Sequence, residues 1–140
     1  MNDVPSSAAL LRYDDFVPGS VLGEATETLE AAMTRGWQAI FGAHGPHDTG
    51  AAAEGASLAL VLMMRAYCRA VAPRPPGNVH ARQRFALAAL PRTGEAVRTV
   101  VRCVGKEIRR ERRYVELETA GTGEHGRALF TGRMTLVWAQ

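Results

Sequence analysis

Four histidines, His44, His47, His80 and His125, are the residues in this chain with the widest chemical scope. A neutral imidazole ligates metals, and it moves protons near neutral pH. Their spacing matches no zinc pattern and neither cysteine joins them, so no metal site is expected. Cys68 and Cys103 form no CxxC pair. Cys68 falls in an apolar run and Cys103 in a strand-like one, so both read as buried small hydrophobes in a reducing cytoplasm. Of 17 basic residues all but Lys106 are arginine, and the formal charge is +3. Arginine's planar fork suits phosphate, but so small an excess does not select nucleic acid. No basic strand rich in aromatics, of the kind that reads RNA, is present. His80, Arg82 and Arg84 alternate along one strand and are expected on one face. Arg109, Arg110, Arg112 and Arg113, interleaved with Glu107 and Glu111, read as a solvated tip of mixed charge.

The elements that would carry these groups follow from periodicity. The 140 residues suit one domain, 1–140, with residues 1–12 as a flexible arm. No secretory signal is visible at the N-terminus. The 46% apolar and 22% charged content is that of a globular chain. A short strand is expected over Val21 to Thr28. Leu29, Met33, Trp37, Ile40 and Phe41 then recur at helical spacing, with Thr28 as a candidate cap. A Gly/His/Pro loop runs from Ala43 to Gly50. Gly55 to Ala72 is apolar on nearly every side, which predicts a helix buried all round. Its apolar run is too short to cross a bilayer. Pro73, Pro75, Pro76 and Gly77 end it. Strands follow at Val79–Leu87, Glu95–Val104, Arg113–Thr119 and Arg127–Trp138, separated by turn residues. The expected fold is α+β, one curved antiparallel sheet wrapped around a central apolar helix.

That order resembles the hotdog fold, and local motifs narrow it further. Tyr13 to Gly19 (YDDFVPG) resembles the F-x-x-G opening of the MaoC-like (R)-specific enoyl-CoA hydratases. Phe85 with Leu90, Pro91, Gly94 and Glu95 resembles that group's F-x-x-P-V-x-x-G-D strand and turn. Gly126 to Ala139 resembles its final strand. The resemblance covers residues 12–139 as an outline. It implies an edge-to-edge dimer or higher hotdog oligomer. The substrate would be an acyl thioester, on coenzyme A or on the phosphopantetheine of an acyl-carrier protein. No separate cofactor and no membrane partner are implied. The reaction implied is hydration of a trans-2-enoyl thioester, or dehydration of the 3-hydroxyacyl form.

The group's D-x-N-P-x-H signature departs here. Ala43 stands for the carboxylate and Gly45 for the asparagine; Pro46 matches, and His47 comes one place early. Three readings stay open. His47 and Asp48 form a rearranged acid–base pair; or Glu54 is the base, as acids on the central helix are in some thioesterases and dehydratases; or the site binds acyl thioesters without chemistry. A glutamate at a helix start is also a favourable dipole partner. Gly55, Ala56 and Ser57 would open the central helix, with N–H groups for a thioester carbonyl and its oxyanion. Close packing explains their small size equally well. Arg74, His80, Arg82 and Arg84 are the candidates for coenzyme A phosphates.

Overall fold

The structure, a computed structural model, describes residues 8–45 and 49–139. Its strands are β1 (Val21–Thr28), β2 (Val79–Leu87), β3 (Ala96–Arg109), β4 (Arg112–Thr122) and β5 (Ala128–Trp138). Its helices are α1 (Ala31–Phe41) and α2 (Thr49–Ala70), with single 3-10 turns at Tyr13–Asp15 and Glu124–Gly126. All five strands form one antiparallel sheet in the order β1-β3-β4-β5-β2. Alternation along β3, β4 and β5 sets the buried face: Val97, Val101 and Cys103, then Val115 and Leu117, then Met134, Leu136 and Trp138. A period of two puts such a row on one side of a strand. This face wraps Leu58, Ala59, Leu62, Met63, Ala66 and Tyr67 of α2. Each fully buried Leu or Met there contributes about 1.5–3 kcal/mol relative to exposure.

Leu29 leaves the helical pattern assigned to it. It is buried in the link between β1 and α1, where its N–H donates to Glu95 O at 3.0 Å and its carbonyl accepts from Gly94 at 2.8 Å. The α1 helix therefore starts later, after Glu30 rather than Thr28.

Three further expectations are corrected. α2 begins at Thr49, not at Gly55, because the Ala-rich run before Gly55 is itself helix-forming. α2 is also not buried all round: Leu60 is 37% and Val61 40% exposed, and Cys68 is exposed with them. The sheet covers one side of α2 and α1 meets its first turns, which leaves Leu60, Val61 and Cys68 on the exposed side. By length and composition α2 would cross a bilayer, but its buried stripe makes it the core helix of this fold. Arg65 and Arg69 pair with Glu27 of β1 at 2.8 and 3.6 Å, which sets the helix over that edge.

The charged tip is a continuation of β3 and β4, closed by the two residues Arg110 and Glu111 at φ 51° and 62°. Two left-handed residues are what a two-residue hairpin turn of right-handed twist requires. Residues 1–7 of the expected arm lie outside the described residues. Its last part is docked: Leu11 donates to Pro73 O at 2.9 Å and accepts from the Trp138 indole at 2.9 Å. Trp138 meets Phe16 edge to face at 4.7 Å, which ties the YDDFVPG segment to the end of β5.

Candidate active site

Gly42 ends α1 at φ 91°, a conformation that favours glycine. Its N–H caps the Gln38 carbonyl at 2.7 Å, and the chain then doubles back. That return brings the ring of His44 edge-on to Trp37, 6.4 Å between centroids, and towards the start of α2. There His44 Nε2 lies 3.0 Å from Glu54 Oε2. The other carboxylate oxygen, Oε1, accepts from Gln38 Nε2 at 2.8 Å. Both partners are mostly covered, with side chains 15% and 13% exposed. In such a setting a hydrogen bond to a carboxylate is stronger than in water. α1, the loop after it and the second turn of α2 each supply one member.

An imidazole oriented by a carboxylate is a proton-transfer device. Which ring nitrogen carries the proton is a matter of tautomer, and a proton on Nε2 faces Glu54. Nδ1 lies 3.4 Å from the Gly45 carbonyl.

The structure assembles only part of the expected set. Glu54 is in the site. His47 and Asp48 lie outside the described residues. Gly55, Ala56 and Ser57 sit more than a turn inside α2, so their N–H groups belong to the helix ladder rather than to its open end. This corrects their expected role as carbonyl donors. A Cβ on Gly55 would come within 2.7 Å of Leu90, so its small size serves packing. The Ser57 hydroxyl donates to Ala53 O at 2.6 Å.

Arg74 caps the far end of α2, its Nη1 donating to Cys68 O at 2.9 Å and Val71 O at 2.8 Å, with the guanidinium 5.4 Å from the centre of the Tyr67 ring. It is a helix cap, far from Glu54. His80, Arg82 and Arg84 do not share a face. A bulge at Ala81 breaks the alternation. His80 pairs with buried Leu136 and turns its ring towards Tyr67, 6.4 Å away on the helix side. Arg82 and Arg84 pair with Thr135 and Arg133 and point to the opposite face. An extra residue in one strand reverses every side chain before it.

Sequence reasoning considered His44 only as a metal ligand and missed Gln38. The described residues hold no cluster suited to a metal. The sequence signal for His44 was its place just after the helix-ending Gly42. No local signal marked Gln38.

No family model matches the sequence, and no curated protein matches it. Solved structures do. A MaoC-like dehydratase from Rhodospirillum rubrum superposes with TM-score 0.73 at 16% identity, over 91% of this chain and 96% of that one. The chain has a hotdog fold. An R-hydratase from Pseudomonas aeruginosa gives TM-score 0.70 at 17% identity, covering 91% and 85%. A hot-dog-like protein from Thermanaerovibrio acidaminovorans gives 0.60 at 18% identity, covering 89% and 84%. The hotdog architecture is thus shared with this MaoC-like dehydratase and this R-hydratase.

Proposed function

We propose that this hotdog chain is an acyl-thioester hydratase/dehydratase in which His44 and Glu54 replace the acid–base pair of the D-x-N-P-x-H signature. The observation that carries this reading is the 3.0 Å contact between His44 Nε2 and Glu54 Oε2. The names of the similar structures, a MaoC-like dehydratase and an R-hydratase, support it.

In the hydration direction the His44 imidazole takes a proton from water as the water oxygen bonds to the β-carbon of the enoyl thioester. The resulting imidazolium is held by Glu54 and returns that proton to the α-carbon. The pair ends in its starting state; dehydration is the reverse. Gln38 keeps the Glu54 carboxylate turned to the ring. A catalytic pair of this kind contributes roughly 10²–10⁴-fold to rate. The acyl group arrives on coenzyme A or on an acyl-carrier protein, and the substrate's carrier is the only cofactor chemistry needed. The sheet has two outer strands, β1 and β2, and pairing of β2 with its copy would join two sheets edge to edge.

The test is hydration of crotonyl-CoA by the purified protein, read as loss of the conjugated enoyl absorbance. Turnover that falls at least a hundredfold in both His44→Ala and Glu54→Gln, with the fold intact, is expected. Turnover unchanged by either substitution overturns the assignment. Free thiol released without enoyl hydration favours a thioesterase instead, in which the same imidazole activates water against the thioester carbonyl. Absence of both reactions, on longer acyl chains and on acyl-carrier protein as well, leaves binding without chemistry.

A further inference from the structure

Two bulges fall on one row of the sheet. Val104 is the extra residue of β3 between Cys103 and Gly105, and Ala81 that of β2 between His80 and Arg82. Gly105, Glu116, Thr135 and Arg82 pair in succession across β3, β4, β5 and β2 between them. Bulges bend a sheet and re-aim its side chains. Here they open a trough of about 550 Å³ on the face away from α2, walled by Arg82, Glu107, Arg109, Tyr114, Glu116 and Thr135. A second hollow of about 480 Å³ adjoins it at the hairpin end, lined by Arg109, Arg110, Arg112 and Tyr114. The two share Arg109 and the Tyr114 ring, which lie 4.6 Å apart, guanidinium carbon to ring centre.

The groove carries both signs of charge, with guanidiniums alone at its hairpin end. The hairpin hollow presents three guanidiniums around one aromatic ring. The trough sets two carboxylates among Arg82, Lys106 and Arg109: Glu116, which accepts from Thr135 Oγ1 at 2.6 Å, and Glu107, 3.6 Å from Arg109. Guanidiniums bind phosphate in bidentate fashion, and an aromatic or guanidinium plane stacks on a base. Carboxylates accept from sugar hydroxyls and base amino groups. We propose that this groove binds a nucleoside phosphate, with phosphate on Arg109, Arg110 and Arg112, the base against Tyr114, and the sugar or base edge facing Glu107 and Glu116. The stretch of α2 from Glu54 to Tyr67, about 20 Å at 1.5 Å per residue, and the thickness of the sheet separate the groove from His44 and Glu54. Gly55 against Leu90 and Tyr67 facing His80 fix the two ends. The groove is therefore a site distinct from the acid–base pair, and it stands whether or not that pair is catalytic.

Calorimetric titration of the full-length protein with adenosine 3′,5′-bisphosphate at low ionic strength tests this. Saturable binding is expected, weakened at least tenfold by Arg112→Ala and by Tyr114→Leu and unchanged by Glu54→Gln. Adenosine alone and inorganic phosphate are expected to bind at least tenfold more weakly than the bisphosphate. Arg112 is exposed at the strand end, so its variant keeps the fold and the test stays decisive if Tyr114→Leu does not. Adenosine diphosphate bound as tightly as the bisphosphate would identify free nucleotides as the ligand. Preference for the bisphosphate would identify the nucleotide end of coenzyme A. No saturable binding, binding indifferent to Arg112→Ala, or inorganic phosphate bound equally well overturns the proposal.

Discussion

His44 Nε2 and Glu54 Oε2 meet at 3.0 Å, across the loop that joins α1 to α2. Gly42, Gln38 and Trp37 set the meeting. Gly42 reverses the chain, Gln38 fixes one carboxylate oxygen, and Trp37 flanks the imidazole.

The pair should behave as a unit. Groups that act together give strongly non-additive losses. The double variant His44→Ala/Glu54→Gln is expected to lose no more than about tenfold beyond the worse single variant in crotonyl-CoA hydration. Multiplied losses would show two independent roles. Gln38→Ala should lower kcat about tenfold with little change in KM, because Gln38 acts through its hydrogen bond to Glu54.

Glu95 is a second buried carboxylate, 2% exposed, with a structural role. Burial alone would raise its pKa. The N–H groups of Arg92 and Glu124 and the Arg127 guanidinium outweigh that and hold it below the ordinary carboxylate value. A depressed folded-state pKa gives stability that is present above the unfolded value and is lost as pH falls through the folded one. Acid unfolding of the native protein should therefore include a component below the usual carboxylate range. Glu95→Gln is expected to be less stable at neutral pH by about 1–3 kcal/mol and to show a flatter acid limb in denaturant titrations at several pH values. An unchanged acid limb would refute this linkage.

Gly121 sits directly under the Phe130 ring, where a Cβ would overlap the ring atoms. Phe130 is buried and stacks on Phe85 at 5.4 Å between centroids, so it has little room to yield. Gly121→Ala should destabilise by about 1–3 kcal/mol through overpacking, read as a lower denaturant midpoint. A neutral effect would mean that the ring moves freely.

The two cysteines should separate cleanly with a thiol reagent. Cys68 is exposed and is expected to react in the native protein. Cys103 is fully buried, and burial pushes its thiol pKa up, so it should react only on unfolding. Two fast thiols in the native state would contradict this packing. The Cys68 signal must also be subtracted in any assay of thiol release from a thioester.

The sequence by itself determined the kinds of element and their order, because helix and strand periods are local properties of ten or so residues. On β4 the period alone picks the buried side, since Val115 and Leu117 alternate with Glu116 and Glu118 over a regular stretch. The sequence also placed Glu54 on the central helix. Only the tertiary structure decided that His44 is its partner, since the meeting depends on a chain reversal at Gly42 and on how α1 lies against α2. The same is true of β2, where one bulge at Ala81 sends His80 and Arg82 to opposite faces. A bulge is fixed by pairing with β5, and no period within β2 encodes it. The exposed side of α2 follows the same logic: apolar residues mark what can be buried, and the single sheet decides which of them are.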